Sequence, residues 1–132
     1  MTIHTEAASP SFTALDCDHA LNHAGGDPEL LMQLCRAFLS ELPWCIEQMD
    51  RALAARNHQL AGRALLQLQS CIMVFGAGHA AVTAEILENA IRNRRVRQVR
   101  SEWTRLQAQL QQLVPQVQRL MLEMSTPRTL IQ

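Results

Sequence analysis

The chain has no lysine and no tyrosine, and only three phenylalanines and two tryptophans among its 132 residues. So few aromatics argue against sheets, which collect aromatic and β-branched side chains, and leave helices as the expected element. Without lysine, every basic side chain is an arginine, which we read as coding bias more than chemistry. No uninterrupted apolar run approaches the roughly 18 residues of a membrane helix, and no leader pattern precedes the first helix; a soluble, cytoplasmic protein is expected. Cys17, Cys35, Cys45 and Cys71 show no C-x-x-C spacing. They are expected as reduced thiols packed like small hydrophobes, with no disulfide and no zinc.

What is present fits one domain, large enough to hold a core without covalent staples. Formal net charge is zero, yet its distribution is uneven: residues 1–50 carry eight acids against Arg36 alone, and the remainder carries eleven arginines against four acids. The two ends of the sequence therefore offer opposite potentials.

Residues 1–13 are polar and aperiodic, and are expected to form a flexible tail. A short helix then runs to about His23, capped by Asp16 or Thr13, with Leu15, Ala20 and Leu21 as its apolar contacts and Gly25-Gly26 as its end. Asp27-Pro28 is an N-cap followed by a residue pre-set for the first helical turn. From there Leu31, Leu34, Phe38, Leu42, Cys45 or Ile46, Met49 and Leu53 keep one face, with a bend expected ahead of Pro43. Asn57 caps a central helix that Gly76 ends. A fourth helix, from Ala77 or His79 to Arg94, is assigned the inner face Val82, Ile86, Ala90 and Leu87. The last runs through Val96, Val99, Trp103, Leu106, Leu110, Leu113, Val117, Leu120 and Met124 in steps of three and four, with a kink at Pro115, and stops at Ser125. These spans predict an all-α, antiparallel up-down-up-down four-helix bundle preceded by a short helix, occupying residues 14–124, with a second flexible tail over 125–132.

The central helix is the informative one. Leu60 or Ala61, Ala64, Leu65, Leu68, Ile72 and Phe75 form a buried stripe. Gly62, Leu66, Gln69, Ser70 and Met73 fall on the opposite side as one outward surface, so a leucine and a methionine face water.

Phe75-Gly76-Ala77 closing this helix resembles the end of the motif helix in the histidine-containing phosphotransfer (HPt) family, which relays phosphoryl groups between receiver domains. Asp16, Gly25-Gly26-Asp27, Phe38, Pro43 and Leu87-Glu88 extend the resemblance to about residues 13–112. Counting back from Phe75 in that frame puts Leu66 where the family has its histidine, Gln69 at its lysine and Ser70 at its glycine. Leucine has no lone pair to take a phosphoryl group, which an imidazole with an unperturbed pKa of about 6.5 offers near neutral pH. The resemblance thus implies an HPt-like regulatory protein with no catalytic residue and no cofactor. It would bind a receiver domain or a histidine kinase through Gly62, Leu66, Gln69, Ser70 and Met73, with Arg63 at the margin.

Two other readings are open. A phosphorelay protein could use an unorthodox residue, but His58 lies eight residues before Leu66, about 12 Å along the helix, and His79 lies beyond its end. Alternatively Arg92, Arg94, Arg95, Arg97 and Arg100, crowded at the last inter-helix turn, could hold an acidic partner or, less readily, nucleic acid; the plainer reading is a solvated turn whose charges meet acids elsewhere. His19 and His23, four apart, have metal-ligand spacing but no identified third ligand, so they are taken as two solvated histidines and no metal is assigned.

Overall fold

The computed structural model describes residues 15–125, all of them helix or short connection. The expected tails and a Thr13 cap lie outside the described residues, apart from Ser125. That serine closes the last helix, donating its hydroxyl to the Met121 carbonyl.

Five helices follow one another: α1 Cys17–His23, α2 Pro28–Ala54, α3 His58–Phe75, α4 Gly78–Arg92 and α5 Val96–Ser125. Each of the four long ones packs on its sequence neighbour, and α5 closes the ring on α2; α1 lies across the ends of α3 and α2. Short side chains set the helix starts. Asp16, Asp27 and Asn57 accept, in turn, the backbone N–H of His19, Glu29 and Leu60 at about 3.0 Å, satisfying donors that an isolated helix leaves open.

The core is aliphatic with few rings. Phe38 of α2 meets Phe75 of α3 edge to face at 5.2 Å, and Leu65, Leu68, Ile72, Leu87, Leu106, Leu110 and Leu113 are fully buried around them. A polar tie joins α5 to α2, Trp103 Nε1–H donating to Asp50 Oδ1 at 2.8 Å. Both α2 and α5 run unbroken through Pro43 and Pro115. All four cysteines are free; Cys35 and Cys45 are buried, Cys71 is half-buried and Cys17 is exposed.

The structure resolves one open pair and moves other expected positions. In α3 the buried residue of the pair is Ala61, whereas Leu60 is exposed. Val96 begins the α5 seam in sequence but is 57% exposed, because α5 has only just started there. In α4 the inner face is Ala80, Thr83, Ala84, Leu87, Ala90 and Ile91; Val82 points outward at 56% exposure and Ile86 is half-buried. Alanines line this face because a small side chain lets two helices approach closely, a demand that ranking by hydrophobicity misses.

The connections have unequal chemistry. Gly25 and Gly26 after α1 and Gly76 after α3 adopt left-handed backbone, as expected of glycine at a helix end. The α2–α3 and α4–α5 turns close in the same way without glycine. Arg56 (φ 55°) and Arg94 (φ 56°) are left-handed. In the first turn Asn57 N–H donates to Ala52 O and Arg56 N–H to Leu53 O; in the second Arg95 N–H donates to Ala90 O and Arg94 N–H to Ile91 O.

Candidate partner-docking site

On α3, the stripe opposite the core emerges as the periodicity requires. Leu66 and Met73 are each 63% exposed, two turns apart on one side of the helix. Ser70 between them is exposed and turns its hydroxyl back to the Leu66 carbonyl at 3.2 Å. Arg63 is exposed beside Gly62, and Gly62 and Gln69 are half-buried where α3 meets α4.

There a shallow groove of about 290 Å³ opens, lined by Gly62, Leu66 and Gln69 from α3 and by Glu88, Ile91 and Arg92 from α4. Gln69 Nε2–H donates to Glu88 Oε1 at 3.3 Å, and Arg92 holds the other carboxylate oxygen at 3.1 Å. The groove wall is therefore a bridged polar row, amide to carboxylate to guanidinium, beside an exposed leucine. A Cβ added at Gly62 would meet nothing within 4 Å. Nothing in the fold requires a glycine at that mid-helix position, where it is less stable than alanine by roughly 0.5–1 kcal/mol; what its absent side chain leaves is open space along the groove.

Five of the residues expected from the sequence, Gly62, Leu66, Gln69, Ser70 and Met73, share this face, and Arg63 borders it. Arg92 joins it too, instead of belonging only to the arginine turn. Arg94, Arg95, Arg97 and Arg100 lie at the end of the bundle, away from the groove. Glu88 is the addition that sequence reasoning missed as a site residue, although the Leu87-Glu88 pair was its signal: Leu87 is buried and fixes the phase that turns Glu88 toward α3. No histidine lines the groove. His58 is the first residue of α3 and lines another groove, and His79 is the second residue of α4.

His19 is not simply solvated. Its Nε2 lies 2.8 Å from the carbonyl of Met73, and the ring packs on Gly76 and stacks at 6.4 Å against His23. The Asp16 N–H donates to the Phe75 carbonyl at 3.0 Å. Both acceptors belong to the last turn of α3, whose carbonyls lack helical partners, so α1 acts as the cap on the lower end of the exposed stripe. Among the described residues no group of three or more His, Cys, Asp or Glu is disposed to hold a metal ion.

The family model for the Hpt domain matches residues 33–119, two-thirds of the chain and nearly all of α2 through α5. The chain belongs to the Hpt domain family. The HPt domain of a sensor hybrid histidine kinase from Shewanella is similar in fold, with a TM-score of 0.75 at 18% identity over 87% of this chain and 99% of that one. No curated protein matches the sequence. HPt domains are phosphotransfer modules of two-component phosphorelay, working with histidine kinases and receiver domains. This HPt domain therefore sits in that signalling chemistry, and no helix among its described residues is long and apolar enough to cross a membrane.

Proposed function

We propose that this HPt domain binds a receiver domain or a histidine kinase in the cytoplasm without accepting phosphate, and regulates that partner by occupying it. The observation that carries the reading is Leu66: an aliphatic side chain, 63% exposed at the middle of the α3 face, beside a groove with no imidazole. In the family frame read from Phe75-Gly76-Ala77, this is the position of the phospho-accepting histidine. A hydrocarbon there offers no nucleophile, and phosphoryl transfer needs one within bonding reach before any other factor counts. It does offer apolar area to a docking partner, with the Gln69–Glu88–Arg92 row as a polar rim, the arrangement of an anchor surrounded by hydrogen-bonding groups. Gly62 supports the same reading, since open space beside the anchor admits close approach of another chain.

The test uses purified receiver and histidine-kinase domains from the same genome. Binding by the intact chain should weaken by roughly 2 kcal/mol or more with Leu66→Asp, as for a central anchor, while the far-ultraviolet circular dichroism stays unchanged. Incubation with a radiolabelled phospho-receiver should leave no acid-labile label on this chain. Unchanged affinity of Leu66→Asp would remove the face from consideration, and stable label would show an active relay using another residue.

A further inference from the structure

At one end of the bundle, where the α2–α3 turn meets the start of α5, a second concave surface lies apart from the Leu66 face. Its floor is aliphatic, made by Ala52, Leu53 and Val99, with the exposed Val96 as one wall, and its rim carries Arg56, Asn57, His58 and Arg100. The depression holds about 210 Å³, less than the roughly 300–1,000 Å³ of sites that enclose a whole small ligand. It is sized for one anchoring side chain.

The surroundings are strongly positive. Arg94, Arg95 and Arg97 are exposed on the adjoining turn, and among the described residues no acid lies within ion-pair distance of Arg56, Arg94, Arg95, Arg97 or Arg100, whereas Arg51 and Arg92 are each paired to a glutamate one turn away. Two of these unpaired arginines, Arg56 and Arg94, are left-handed where glycine would sit with less strain. Positive charge is thus kept at this pole against a backbone preference, in both of its turns.

We propose that this pole captures an acidic peptide segment of a partner protein, with one aliphatic side chain seated in the groove and flanking carboxylates held by the surrounding guanidinium groups. Charge complementarity names the acid, since five unpaired cations exceed what a single carboxylate would match. The recessed aliphatic floor names the anchor. Nucleic acid is disfavoured because bases want an aromatic platform: the neighbouring indole, Trp103, is buried with its N–H on Asp50, which leaves the small, half-buried ring of His58. A bilayer surface is disfavoured because a membrane anchor projects apolar groups beyond the charged rim, whereas here they line a depression.

The proposal is independent of the Leu66 reading, and one experiment separates them. The full chain is titrated into a fluorescein-labelled peptide Glu-Glu-Leu-Glu-Glu and into the same peptide with serine for leucine. The leucine peptide should bind at least about fivefold tighter, reflecting burial of its aliphatic carbons. Arg100→Glu, Arg97→Glu and Val96→Asp, all at exposed positions, should each weaken it about tenfold through charge reversal or loss of the apolar wall, while Leu66→Asp leaves it unchanged. Affinity should fall as salt is raised, because these charges are solvent-exposed. Equal affinity for the serine peptide, or no binding of the leucine peptide at millimolar concentration, would overturn the groove. So would tighter binding to phosphatidylserine vesicles or to a single-stranded oligonucleotide, or salt-sensitive self-association lost in Arg100→Glu.

Discussion

Arg56 and Arg94 each end a helix in the left-handed region with the two back-bonds that ordinarily accompany a glycine there. A side chain in that conformation is disfavoured by roughly 1–2 kcal/mol, part of which glycine gives back through its greater freedom in the unfolded chain. Arg94→Gly should therefore stabilise the fold by about 0.5–1 kcal/mol, read as a higher urea midpoint with unchanged slope. A neutral or destabilising result would mean that the arginine makes up its backbone strain within the native state. These turns were also where the sequence was hardest to read. Helix-end rules look for glycine or asparagine, and neither turn has a glycine, so the Asn57 cap marked the first, and the second carried only Asn93, which sits at the C-cap one residue before the left-handed Arg94. Leu66 and Met73 were legible at the same scale because exposure on a helix follows from spacing alone. The Gln69–Glu88–Arg92 row was not, because it needs the distance between two helices.

Among the elements, α3 and α5 were readable almost residue by residue, since large aliphatics recur on them in an unbroken period. The α4 face was misphased at Val82 because its buried side is mostly alanine, which a hydrophobic count underweights and close helix packing favours. The short α1 was placed correctly, but its purpose lay outside the sequence pattern: it meets the last turn of α3 through Asp16 and His19. Gly76 is the hinge of that junction. A Cβ there would lie 2.9 Å from the His19 ring, on backbone already left-handed at φ 61°. Gly76→Ala should cost about 1–2 kcal/mol or more from the backbone alone, with the steric part on top. The same change in a His19→Ala background should cost less, and equal losses in the two backgrounds would show that the ring moves aside freely.

For the molecule as a whole, the buried thiols set an alkaline limit. Burial, with lesser contributions from Cys17 at Cys35 and from Cys45 and Glu41 at Cys71, pushes both thiols from 9.0 up to about 11; burial also raises Cys45. A group held above its unfolded value binds its proton more tightly in the native state, so its contribution is complete well below pH 9 and is lost as pH rises toward 11. Urea midpoints should be flat up to about pH 8 and fall progressively from there toward pH 11. The reading is unusually clean, because with no lysine and no tyrosine in the chain few other side chains titrate in that window. Replacing Cys35 and Cys71 by alanine should flatten the fall, and an undiminished fall would assign it elsewhere.

The uneven charge of the two sequence halves becomes an axial property in the fold. Asp16, Asp18, Asp27, Glu29 and Glu123 gather where α1 meets the start of α2 and the end of α5, and the unpaired arginines gather at the opposite tip. A rod charged this way feels a torque in the field of any acidic protein and turns its arginine tip forward before contact. Collisions would begin end-on, so ionic strength would govern how fast a complex forms more than how long it lasts.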